Sequence, residues 1–224
     1  MKTKRPNWSQ VIPVIVMVLF IPSLLLNAYF ISKDKKPEGE TVVKVIDGDT
    51  FEIKNGQRIR LRQVDAPDKG GCGYEESTAF LKNLIEGQNV RIEETAVGQQ
   101  NRPLALLYLD NKLVNLEILS AGWGRYHSDT SSKKDELQTA ANKAKKERIG
   151  IFGPECYGKT PDNPNCTIKG NIDKSTDSKI YYSPGCPQYE FTIVEKDIGE
   201  AWFCTAEEAE AAGYVKAKNC PEKP

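Results

Sequence analysis

Arg58-Ile59-Arg60-Leu61-Arg62-Gln63-Val64 runs directly into Asp65-Ala66-Pro67-Asp68. The first seven residues alternate like a strand, and the proline marks the loop into which it leaves. Ile59, Leu61 and Val64 can face a core, while Arg60 and Arg62 point the other way. Four more runs of this kind flank it, at Thr41–Ile46, Thr50–Ile53, Val90–Glu94 and Leu104–Tyr108, each bounded by Gly, Asn, Asp or Pro. Three stretches carry helical periodicity instead. In Glu75–Glu86, Phe80, Leu81, Leu84 and Ile85 share a face, and Gly87 is a natural stop. Val114–Ala121 is short and apolar, and Ser132–Arg148 is charged with a narrow Leu137, Ala140, Ala141, Ala144 stripe. Five short strands with about three inserted helices predict an α+β fold built on a small closed barrel of the OB type.

Outward from the barrel the chain changes character twice. Its 224 residues carry 31 Lys+Arg against 31 Asp+Glu, which argues against a purely electrostatic nucleic-acid clamp. By segment the charge is +3 over 1–40, zero over 41–158 and −3 over 159–224. Val11–Ile31 is almost wholly apolar, and about 20 such residues span a bilayer. Trp8 and Tyr29 sit near its ends, where amphipathic rings favour the interface. A cleaved signal peptide is the alternative, but Leu26-Asn27-Ala28-Tyr29-Phe30 offers no small-x-small site. The organisation read from the sequence is a short tail (1–10), a transmembrane anchor (11–31) and a tether (32–40). A barrel domain (41–156), a linker (157–165) and a small α+β Cys-bearing module (166–220) follow. Basic residues flank the anchor almost equally, and the short tail together with the cysteines favours a single-pass protein with its main domain extracellular.

Three groups of polar residues can do chemistry together. Ile46-Asp47-Gly48-Asp49-Thr50 reads by itself as a hairpin turn. Asp65 and Asp68 close a strand end, and Arg102 precedes another strand. Combined, two carboxylates (Asp49, Asp65) can hold a hard cation, Asp68 can orient a water, and two guanidinium forks (Arg60, Arg102) can grip a phosphate. Those are the parts needed to hydrolyse a phosphodiester. Trp123 and Tyr126 read as barrel packing, with base stacking as the alternative. His127, the single histidine, reads as a surface residue.

VIDGDT, then R-I-R-L-x-x-V-D-A-P, then N-R-P-L-A-x-x-Y-L-D-x-K-x-V-N resemble the staphylococcal (micrococcal) nuclease, or thermonuclease, family over roughly residues 41–153. The resemblance implies an OB-fold enzyme that cleaves DNA and/or RNA with Ca²⁺, leaving 5′-hydroxyl and 3′-phosphate ends. By position, Asp49 and Asp65 look like the calcium carboxylates, Thr50 like the donor of a backbone carbonyl and Asp47 like a residue just behind the metal. Arg60 and Arg102 look like the phosphate-binding arginines, and Asp68 falls where the family has a glutamate. That aspartate is one methylene shorter, about 1.5 Å of reach, and about 1 Å of misplacement can cost on the order of 10²-fold in rate. Gln99-Gln100-Asn101 replaces the family's Lys/Arg-Tyr-Gly, removing a stacking ring and a phosphate contact. The alternative reading is a catalytically weak or inactive barrel that binds nucleic acid or protein at the cell surface. No motif points to a particular protein partner.

Six cysteines remain: Cys72, Cys156, Cys166, Cys186, Cys204 and Cys220. The tail around the last four is similar to an Ada-type metal-binding module, which keeps zinc open. The four are 20, 18 and 16 positions apart with no close pair and no histidine, unlike a strong zinc site. Outside the cytosol the expected arrangement is Cys72–Cys156 plus two disulfides within the tail. Thr205 followed by Glu208 predicts a capped helix that ends at Gly213.

Overall fold

A computed structural model describes residues 39–98 and 102–221. The expected anchor over 11–31 lies outside them, as do residues 1–10 and most of the tether. Among the described residues no helix is long and apolar enough to cross a membrane.

Strands β1 (Glu40–Val45), β2 (Thr50–Ile53) and β3 (Arg58–Leu61) form an antiparallel meander. Strands β5 (Asn89–Ala96) and β6 (Leu104–Leu109) pair antiparallel, and β5 returns to β1. A parallel pairing of β3 with β6 closes the circle, so five strands make a closed barrel. In β1 the buried residues are Val42 and Val45, three apart rather than two. A bulge between Val42 and Lys44 inserts the extra residue and keeps both valines inside.

The run expected from Arg58 to Val64 is interrupted. Gln63 adopts a left-handed φ of 63°, which ends β3 at Leu61 and restarts the chain as β4 (Val64–Asp65). Strand β4 pairs with β8 (Arg125–Tyr126), while β7 (Lys112–Leu113) extends the β6 edge. Ile59, Leu61 and Val64 are buried as the alternation requires. Arg62 is buried as well, because its guanidinium is ion-paired with Asp129 and donates to the Glu94 carbonyl at 2.9 Å.

Helix α1 (Tyr74–Ile85) buries Ser77, Leu81 and Ile85, one residue per turn. Helix α2 (Val114–Ser120) packs against β6 and against α3 (Lys134–Glu147), which buries Leu137, Ala141 and Ala144. Trp123 and Tyr126 pack on the barrel core.

The Cys-bearing segment forms its own small sheet, in the order β13 (Trp202–Phe203), β10 (Ile168–Ile172), β11 (Lys179–Tyr182), β14 (Val215–Lys216). Helix α4 (Ala206–Ala211) starts at Thr205, whose side chain accepts from the Glu208 N–H as the capping pattern predicts. Ile168, Tyr181, Ala209 and Tyr214 are its core. Tyr157 and Gly158, expected as the first linker residues, instead form β9 and pair with β12 (Val194–Glu195). Disulfides join Cys72 to Cys156, Cys166 to Cys204 and Cys186 to Cys220, which leaves no cysteine free.

Candidate active site

The β3–β6 closure sets the site. Arg60 lies beside Leu104 in that pairing, and the Arg60 N–H donates to the Pro103 carbonyl at 3.0 Å, next to Arg102. On its other side Arg60 pairs with Thr50 of β2. The two arginines and the Asp49–Thr50 turn therefore meet at one end of the barrel.

Gly48 makes that turn possible. A Cβ there would fall 1.7 Å from the Ser77 Oγ of α1, so no side chain fits between turn and helix. The Asp47 carboxylate accepts the Asp49 N–H at 3.1 Å. Asp49 is buried, and its oxygens accept from the Thr50 hydroxyl at 2.8 Å and the Ala66 N–H at 2.9 Å. Burial pushes its carboxyl up to about 7, with Arg60 opposing that shift and Asp47 adding to it. Arg60 Nη2 sits 2.7 Å from Asp49 Oδ2 and 2.5 Å from Asp65 Oδ1. Both carboxylates thus converge on a single positively charged nitrogen.

A cleft of about 580 Å³ opens beside this cluster, lined by Arg60, Gln63, Asp65, Val97, Arg102 and His127. Arg102 Nε is buried and has no hydrogen-bond partner among the described residues. A buried orphan donor costs about 1–3 kcal/mol and is a feature of sites that meet a ligand. His127 is exposed, as expected of a surface residue, but it stands in the cleft wall with its N–H bonded to the Gln63 carbonyl. Neither Gln63 nor His127 carries a local signal for the cleft, which depends on the left-handed turn at Gln63 and on the His127 N–H bonded to its carbonyl.

Two expected roles meet a different geometry. The Thr50 carbonyl accepts from the Ile46 and Asp47 N–H groups at 2.9 and 3.3 Å, so it is spent inside the turn. Thr50 instead orients Asp49 through its hydroxyl. Asp68 is exposed and does not line the arginine cleft. It borders a second cleft of about 450 Å³, which shares Asp65 with the first.

The cation expected from the sequence finds hard oxygen donors in Asp49 and Asp65, the type Ca²⁺ takes. Two carboxylates supply only part of six to eight ligands. Among the described residues no group of three or more His, Cys, Asp or Glu side chains can hold a metal. The six cysteines, all in disulfides, have no thiolate for zinc.

A closed five-stranded barrel that brings Arg60, Arg102, Asp49 and Asp65 to one end has the side chains that phosphodiester hydrolysis needs. Comparison with known proteins makes the assignment specific. Residues 58–153 match the family described as staphylococcal nuclease homologue, and residues 148–216 match the ArfC family. An endonuclease of Haemophilus influenzae, described as uncharacterized, is 29% identical over 139 residues, 60% of this chain and 78% of that protein. Another of Escherichia coli O157:H7 is 30% identical over 119 residues, 50% of this chain and 74% of the relative. A micrococcal nuclease of Shigella flexneri is 24% identical over 126 residues, 50% and 71% of the two chains. The chain belongs to the staphylococcal nuclease homologue family, and its enzyme class is that of a nuclease. The Ada-type likeness of the tail is superseded by the ArfC match.

Proposed function

We propose that this protein is a Ca²⁺-dependent endonuclease, anchored by residues 11–31 with its barrel on the outer face of a membrane. Its substrate is DNA and/or RNA, cut to 5′-hydroxyl and 3′-phosphate ends. The observation that carries the reading is Arg60 held between Asp49 and Asp65 at the mouth of a cleft shared with Arg102.

Asp49 and Asp65 hold the cation, which when bound polarises a phosphoryl oxygen and favours ionisation of water. Arg60 and Arg102 grip the non-bridging oxygens of the phosphate and neutralise charge as a fifth oxygen adds to phosphorus. Asp68 takes a proton from the attacking water, acting across Asp65 from the neighbouring cleft. Phosphorus keeps the 3′-oxygen, the bond to the 5′-oxygen breaks, and that oxygen takes a proton from solvent water to leave as the 5′-hydroxyl.

The test uses the full chain with single-stranded DNA and with RNA, in Ca²⁺ or in a calcium chelator. Cleavage should vanish with chelator and return with excess Ca²⁺, and the new 5′ ends should accept phosphate from a kinase without prior phosphatase treatment. Arg60→Ala and Arg102→Ala should each lower kcat by about 10²-fold or more while the folded spectrum persists. Chelator-resistant cleavage would remove Ca²⁺ from the reading, and kinase-refractory ends would overturn the end chemistry. Protease accessibility on intact cells tests the outward orientation.

A further inference from the structure

The second cleft has walls from two parts of the chain. Asp65, Pro67, Asp68 and Lys69 come from the barrel, and Asp197 and Gly199 come from the Cys-bearing module. The module touches the Asp68 loop through its backbone. Cys72 N–H donates to the Lys196 carbonyl at 3.2 Å, and Gly71 N–H donates to the Asp68 carbonyl at 2.8 Å. Gly71 lies so close that a Cβ would meet the Asp197 carbonyl at 2.9 Å and the Asp68 carbonyl at 3.0 Å. Both neighbours are backbone, so a side chain at 71 would push the loop and the module apart. Lys196 N–H in turn donates to the Cys156 carbonyl at 2.8 Å, and the Cys72–Cys156 disulfide closes this frame.

The same turn of the module also reaches Asp65. Arg125 is the residue paired with Asp65 across β4 and β8. Its guanidinium is bidentate to Asp197, at 2.6 and 2.9 Å, and lies 2.6 Å from Glu195. The Asp197 side chain is 1% exposed, so this is a desolvated fork rather than a loose surface pair. Arg125 is consequently committed to the module and is not a free phosphate ligand.

We propose that the module is a positioning element of the nuclease site, with Asp197 as its positioning residue. Through Arg125 and the Lys196–Gly199 turn it fixes the strand carrying Asp65 and the loop carrying Asp68. The clamp rests on the reading above, in which Asp68 serves the attacking water. It supplies what a short carboxylate needs, since an aspartate has less reach with which to absorb a loop displacement. A merely adhesive interface predicts loss of stability on mutation but no selective link to Asp68.

A double-mutant cycle in the full chain separates the two. We expect Asp197→Asn to lower kcat on single-stranded DNA by about 10-fold or more, with KM changed less than about two-fold. In an Asp68→Ala background the same substitution should lower kcat by much less than it does in the wild type, the remainder being what acts through the strand carrying Asp65. Gly71→Ala, which keeps the Asp197 carboxylate but crowds its backbone against the Asp68 loop, should show the same dependence and carries the test if Asp197→Asn does not fold. If Asp68→Ala lowers kcat but the effects of the two sites multiply, the clamp is overturned and the catalytic reading stands. If Asp68→Ala leaves kcat unchanged, the role of Asp68 falls and the clamp falls with it.

Discussion

Asp68 is the residue at which the chemistry depends most on small distances. It is exposed, it borders the cleft opposite the arginines, and its backbone is pinched beside Gly71 and Asp197. If the loop were free, restoring the family's longer glutamate would improve the site. With the loop clamped, an added methylene carries the carboxylate about 1.5 Å past the position the clamp sets, and such an error can cost on the order of 10²-fold. We therefore expect Asp68→Glu to lower kcat by about 10-fold, measured under saturating DNA and Ca²⁺. A rise in kcat would mean that the aspartate is a handicap the module does not correct. Asp49 differs in kind, because its position is set by a turn that tolerates no side chain at Gly48 and by four local partners: Asp47, Thr50, Arg60 and Ala66.

At the scale of elements, the junction after β3 holds the cleft in shape. Arg62 pairs there with Asp129 and Glu94, while buried Asn115 of α2 donates to the Arg62 carbonyl at 2.8 Å and accepts from the Leu107 N–H at 2.9 Å. Hydrogen bonding from Arg62 pulls the Asp129 carboxyl down to about 2. Between that value and its ordinary 3.8 the folded state binds fewer protons than the unfolded state, so stability rises with pH in this window. The contribution is complete above pH of about 4 and is lost as pH falls through about 2. Urea titrations across this range should show a shallower acid loss for Asp129→Asn than for the wild type, the two curves converging at the acid end. Parallel curves would mean that the Arg62 pair is not retained in solution. The contrast between strands and this junction shows what the chain reveals locally. The five barrel strands are legible because alternation and turn residues lie within each run. Burial of Arg62 is not, because the partner that permits it is 67 positions away and the left-handed Gln63 breaks an otherwise regular alternation. The site divides in the same way. Asp49, Asp65, Arg60 and Arg102 are recognisable by motif, but Thr50's spent carbonyl follows from turn hydrogen bonds, and the Asp197 contact spans 72 positions.

For the whole molecule the question is what keeps two hydrophobic cores of unequal size in one folded unit. The barrel has a large core, whereas the module's buried apolar cluster consists of Ile168, Tyr181, Ala209 and Tyr214. A small core leaves little surplus over chain entropy, and cross-links that restrict the unfolded chain offset the deficit. The three disulfides close separations of 84, 38 and 34 residues. Loop-closure entropy alone assigns them roughly 4.6, 3.9 and 3.8 kcal/mol as upper figures, a spread of under about 1 kcal/mol. Stability should therefore fall by similar amounts, about 2–4 kcal/mol, when each pair is replaced by serines and unfolding is followed in urea. Activity should discriminate where stability does not. Cys72–Cys156 belongs to the frame that holds the Asp68 loop, while Cys166–Cys204 and Cys186–Cys220 lie within the module. Under conditions where all variants remain folded, the Cys72→Ser/Cys156→Ser variant should lose kcat, and Cys186→Ser/Cys220→Ser should retain it within about two-fold. Equal kcat in both variants would mean that backbone hydrogen bonds and the Arg125 fork hold the loop without the covalent link.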